Sequence, residues 1–183
     1  MARDTVISIW TINIDTNNVF NMVQQLTLYM SKNIRSKDGS NTYTDVALTR
    51  NERDFFDTEV RSVCDELYDV MSGYTKDVST TLIPNTTNYY TPLAYNIVDN
   101  RITLVTYNIG QYSSDIDPTL YDILGRNLVD AIKYGMVVKW CEANGLDKQI
   151  ATYSRRYEES KTKVISDLSK RKRLVTVPYK YYP

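Results

Sequence analysis

The chain has 183 residues, 42% apolar and 24% charged, with 22 basic and 22 acidic side chains and no histidine. That length suffices for one domain whose core needs no staples, and the composition is ordinary for a globular chain. Without histidine, the commonest general base, the usual partner of a serine or cysteine nucleophile and the commonest metal ligand are all excluded.

Val6 to Ile14 (VISIWTINI) is short, β-branched and apolar, which predicts a strand. Asp15 or Thr16 can cap a helix beginning there, and Val19, Val23, Leu26 and Met30 describe its amphipathic stripe to about Arg35. Residues 36–48, with Asp38-Gly39, read as a polar loop. Thr49 and Glu52 fit a capping box ahead of a second helix striped by Phe56, Val60, Val63, Leu67 and Val70 and ending near Gly73. Thr75 to Asn88 has no period and reads as loop. Tyr95–Val98 and Arg101–Ile109 are strand-like runs joined by Asp99-Asn100, a pair suited to a tight hairpin turn. Alternation puts Ile102 and Leu104 on one face, with Thr103, Val105, Tyr107 and Ile109 on the other.

A polar stretch from Gly110 leads to Asp117-Pro118, a cap and a first-turn proline. Leu124, Leu128, Ala131, Gly135 and Val138 then share one face of a third helix, which Asn144-Gly145 stops. Asp147 is placed to cap a fourth helix with the stripe Ile150, Tyr153, Tyr157, Val164 and Leu168. So short a connection makes the two helices an antiparallel hairpin. Gly125, Ala131 and Gly135 serve either close packing against the fourth helix or a subunit contact. Tyr134 and Trp140 are core or interface aromatics.

After the hairpin come Lys170, Arg171, Lys172 and Arg173, then Leu174 to Pro183 without helical period. Val175, Val177, Tyr179 and Tyr181 alternate as in extended chain, and Pro178 rules against a central strand position. Ordering ten such residues costs roughly 10–20 kcal/mol of backbone entropy. Burying Leu174, Val175, Val177, Tyr179, Tyr181 and Tyr182 recovers about 9–18 kcal/mol, so the tail needs a partner that also takes up its backbone hydrogen bonds.

The chain has no phosphate loop, dinucleotide fingerprint, nucleophile elbow or CxxC. No acidic cluster has the spacing of a calcium loop or a di-metal helix pair. Neither enzymatic activity, cofactor, metal nor small-molecule substrate is expected. Cys64 and Cys141 read as two buried free thiols in a reducing compartment. No apolar run long enough for a membrane span occurs, and no secretory signal is expected. Charge is polarised: residues 161–183 hold seven Lys/Arg against the single acid Asp167, a net +6, so the rest of this neutral chain carries −6. Such a chain attracts copies of itself head to tail, or brings its basic end to an acidic partner. Lys170–Arg173 is either a solvated helix end suited to the helix dipole or a contact for phosphates or an acidic protein surface.

The strand Ile102–Ile109 (ITLVTYNI), the helix with Tyr134 and Trp140 (YGMVVKW), the Asn-Gly turn, Tyr153 and Tyr157, the basic SKRKR and the ending VPYKYYP together resemble one family. It is the head–tail connector (adaptor, or head-completion) proteins of tailed bacteriophages, particularly those of Bacteroides-infecting, crAss-like phages. The likeness covers about Arg101 to Pro183. It implies a virion neck component forming a ring, commonly twelve-fold, beneath the portal and around the DNA channel, with tail or further neck proteins on its other side. By position, Lys170–Arg173 and Val175–Tyr182 would be the portal-docking segment.

The fold expected is mainly α (α+β): a four-helix core with a long C-terminal helical hairpin, a β hairpin (about 92–109) inserted between the second and third helices, and an extended tail. Residues 1–173 form one connector domain, and 174–183 the docking tail. The function expected is a structural ring subunit. The alternative is a nucleic-acid-binding accessory protein using the basic cluster, for which charges preceding rather than interleaving the aromatics argue against base recognition.

Overall fold

Trp10, Ile12 and Ile14 are buried while Thr11, Asn13 and Asp15 between them are exposed, the two-residue period of a strand lying on a core with one face. The computed structural model describes residues 8–32, 46–111 and 118–170. In chain order these form β1 (Ile9–Asp15), α1 (Thr16–Ser31), α2 (Arg53–Ser72), β2 (Leu93–Val98), β3 (Arg101–Gly110), α3 (Tyr121–Ala143) and α4 (Asp147–Ser169). The chain is thus α+β, with four helices and a three-stranded antiparallel sheet among the described residues.

The expected hairpin is present, and the N-terminal strand joins it. β3 lies in the middle in the order β1-β3-β2, with Ile9 opposite Gly110 at one end and Asp15 opposite Leu104 at the other. On the outer face Thr11 donates to Asn108 and Thr106 to Asn13, both at 2.8 Å, a polar ladder that suits a sheet wet on one side. Asp99 and Asn100 have φ of 50° and 62°, the left-handed pair that a two-residue hairpin turn requires.

Strict alternation fails at one point. Asn96 faces Leu104 but Ile97 faces Ile102, so β3 carries one extra residue, Thr103, as a bulge. Its hydroxyl donates to the Asn96 carbonyl. The bulge turns Ile102 to the core side with Val105, Tyr107 and Ile109, while Thr103 and Leu104 are half-buried. The expected face assignment for Ile102 and Thr103 is therefore corrected.

The helix ends reflect local chemistry. Asp15 caps α1 by accepting from the N–H groups of Asn17 and Asn18. α1 ends at Ser31, with residues 33–35 of its expected span outside the described residues. The capping box at Thr49 and Glu52 is present, and a single 3-10 turn, Arg50–Glu52, precedes α2. Ala47 and Leu48, expected in a polar loop, are buried. Val70 lies partly exposed, at the edge of the α2 stripe. A 3-10 turn at Pro118–Leu120 precedes α3, and Asp117 lies outside the described residues. Gly145, at φ 64°, stops α3: its N–H reaches the Glu142 carbonyl, and Leu146 N–H reaches Cys141 at 2.9 Å. Asp147 is not the α4 cap; Leu146 holds that position, and Asp147 sits within the first turn, where its charge suits the helix dipole.

α3 is the centre of the molecule. Leu124, Leu128, Ala131, Ile132, Met136, Val137 and Cys141 are each at most 1% exposed. α4 packs along it, Tyr157, Val164 and Leu168 being buried and Ile150 and Tyr153 half-buried. Gly135 allows this close approach. A Cβ there would stand 2.7 Å from Val63 Cγ1 on α2 and 3.0 Å from the Tyr157 ring on α4, so the glycine serves two neighbours rather than α4 alone.

Candidate partner-docking surfaces

Of the eleven residues expected to dock a partner, Lys170 lies within the described chain. Arg171, Lys172, Arg173, Leu174, Val175, Val177, Pro178, Tyr179, Tyr181 and Tyr182 lie outside it. Lys170 comes directly after the last helical residue, its backbone extended and its Nζ 2.5 Å from Asp167 Oδ1. Asp167 is 3% exposed and also accepts from Asn127 Nδ2 at 2.6 Å. The Lys170 ammonium therefore neutralises a buried carboxylate that ties α4 to α3. Lys161 is likewise engaged, by Glu66 on α2 at 2.9 Å and by Glu158 on its own helix. Two of the seven cations counted from the sequence are thus held in ion pairs within the fold.

Trp140 is a core residue, 6% exposed, with its indole N–H on the Val46 carbonyl at 2.7 Å and its ring edge-on to Phe55. Tyr134 is half-buried, its ring 6.4 Å from that of Tyr153 and flanked by Lys133 and Arg156. Cys64 and Cys141 are buried and unbridged, and burial pushes their thiols up to about 12 and about 11.

The two sheet edges differ. Gln111 N–H donates to the Ser8 carbonyl, which fixes the phase of the β1–β3 ladder and turns the backbone groups of Ile9, Thr11 and Asn13 outward. The Tyr121 hydroxyl, from the start of α3, donates to the outward Thr11 carbonyl, so β1 is guarded. On the other side Asn108 N–H donates to the Pro92 carbonyl, so Ala94 and Asn96 bond inward while Leu93 and Tyr95 point away from β3. The two-residue turn pairs Val98 with Arg101 and leaves Ile97 pointing outward too. The outward N–H and C=O groups of Leu93, Tyr95 and Ile97 have no backbone partner among the described residues. Beside them Ile97 and Val98 are 49% and 50% exposed.

Below this edge lies a cleft of about 450 Å³ between the hairpin and α2, lined by Asp54, Asp57, Thr58, Arg61, Ile97 and Ile102. Tyr95 closes one end, its hydroxyl on Asp65 at 2.7 Å and its ring beneath the Arg61 guanidinium. At the other end Arg53, 4% exposed, donates through Nε to Asp57 Oδ1 at 3.1 Å and through Nη2 to the Ile102 carbonyl at 3.0 Å. Its guanidinium packs on the rings of Phe20 and Phe56. Burial raises the Asp57 carboxyl above the usual range, and Arg53 opposes that rise. Asp57 Oδ2 is buried with no hydrogen-bond partner among the described residues. Sequence reading missed this pair because both residues look like the polar face of an amphipathic helix; the available signal was their i, i+4 spacing around the core residue Phe56.

No group of three or more His, Cys, Asp or Glu among the described residues is placed to hold a metal ion. No described helix is long and apolar enough to cross a membrane. Comparison of the chain with protein-family models, curated proteins and solved structures returned no match.

Proposed function

We propose that this chain is a structural, non-enzymatic ring subunit of a tailed-bacteriophage neck, joining the portal to the tail in the virion. The resemblance of residues 101–183 supplies the family. The observation that carries the reading is the α3–α4 hairpin, locked by Gly135 against Tyr157 and by Asn127 on Asp167, which leads directly into the basic and tyrosine-rich end. A stiff two-helix post ending in an adhesive tail suits a part that joins others. Lys161 and Lys170 are held by carboxylates within the fold, which leaves fewer cations at this end to meet phosphates.

Co-purification with a portal ring tests the proposal. The full chain is expected to bind and the chain lacking 174–183 to lose binding; unchanged binding removes the tail from the interface. Duplex or single-strand affinity that falls steeply with salt would instead favour the nucleic-acid reading.

A further inference from the structure

We propose that Leu174–Val177 of one copy adds as a fourth strand to the β2 edge of the next copy. The inference rests on the ring-subunit reading and supplies an interface for it. Strand addition needs a sheet edge with free backbone groups in phase, room for alternate side chains, and an extended segment without stable partners of its own.

The β2 edge offers the first two. Leu93, Tyr95 and Ile97 present N–H and C=O groups outward, and half-exposed Ile97 lines an open cleft above α2. Residues 174–177 have the matching length and alternation, and Pro178, which has no N–H, stops the ladder there. Tyr179, Tyr181 and Tyr182 lie beyond the proline and remain for the portal. The run Arg171–Arg173 would precede the strand beside α2, whose 20 residues hold six acids and two arginines.

Geometry favours a neighbouring copy over the chain's own tail. α4 packs on α3 and α2 and has no substantial contact with any strand, so the helix layer separates it from the sheet. Two layer spacings of about 10 Å each separate α4 from the strands. The end of α4 also lies at Asn127, close to Gly125, which lines one surface cleft with Ile12 of β1, the strand at the opposite edge. Five extended residues from Lys170 to Val175 span at most about 17 Å, short of the distance around the helix layer to the far edge. A contact in which the end of one copy meets the edge of the next is heterologous and generates a ring when its rotation closes.

Paramagnetic broadening in the full-length protein tests this. A nitroxide attached through Lys180→Cys on one copy is mixed with isotope-labelled copies bearing no nitroxide; buried Cys64 and Cys141 stay unlabelled. Amide signals of residues 93–98 in the labelled copies are expected to lose intensity. Ile97→Pro in those copies should abolish the loss while leaving the thermal unfolding midpoint nearly unchanged, because that N–H points away from β3. No broadening at any concentration overturns the proposal, as does broadening at another surface, or at β2 only when nitroxide and isotope are on the same chain. Portal binding is read separately, so a failure here leaves the connector reading standing.

Discussion

Arg53 holds the starts of α1 and α2 and the bulge of β3 together with a single buried guanidinium, through Thr16, Asp57 and the Ile102 carbonyl. Removing one member of such a pair leaves an uncompensated buried charge. Arg53→Met should cost about 3–5 kcal/mol in denaturant unfolding, and Arg53→Met with Asp57→Leu should recover most of it. The two glycines flanking the middle of α3 predict opposite signs. Gly125→Ala adds a methyl at an ordinary 3.7 Å from Ile12 and should stabilise by roughly 0.5–1 kcal/mol. Gly135→Ala forces its methyl against Val63 and Tyr157 and should destabilise by about 1–3 kcal/mol, a loss that Val63→Ala reduces when combined with it. Cys64 keeps its proton to about 12 in the folded chain, whereas the unfolded thiol ionises near its ordinary value. The unfolded state therefore releases protons first, so this contribution to stability is complete below the ordinary thiol range and is lost as pH rises toward about 12. Thiol reagents should leave both cysteines unmodified at neutral pH until denaturant is added, and Cys64→Ala should flatten the alkaline fall in unfolding free energy. Fast modification of the folded chain would contradict this burial.

At the scale of elements, the parts written in local chemistry were legible. The Thr49/Glu52 box, the Asp99-Asn100 turn, the Asn144-Gly145 stop and the stripes of α2 and α3 all depend on residues within a few positions of each other. What sequence could not show was long-range. Nothing local in residues 9–15 says that they pair with residues 104–110, and Thr103 carries no mark of a bulge, which only the register with β2 reveals. Arg53 and Asp57 were read past for the same reason, since their burial is set by Phe20 and Ile102, far away in sequence. The residues expected to dock a partner lie, from Arg171 onward, outside the described residues. Gly145 gives the sharpest test of a local signal. At φ 64° a side chain is strained, and Gly145→Val should cost about 1–2 kcal/mol while Gly145→Asn costs less, as read by thermal unfolding.

Over the whole molecule, a neutral chain divides into an acidic body and a basic end, and its sheet has one edge guarded by Tyr121 and one, at β2, whose outward backbone groups have no backbone partner among the described residues. Monomeric proteins rarely leave an edge flanked by exposed Ile and Val unprotected, because it invites pairing with another chain. Here the end of the same sequence supplies a segment of matching length. The unpaired β2 edge and the α3–α4 hairpin fit the ring subunit proposed above. Electron cryo-microscopy of the chain mixed with a portal ring tests the proposed connector function most directly. The account predicts a closed ring in which residues 174–177 of each copy lie along the β2 edge of the next and the final tyrosines meet the portal. A solitary copy with its last residues folded along its own flank would contradict it.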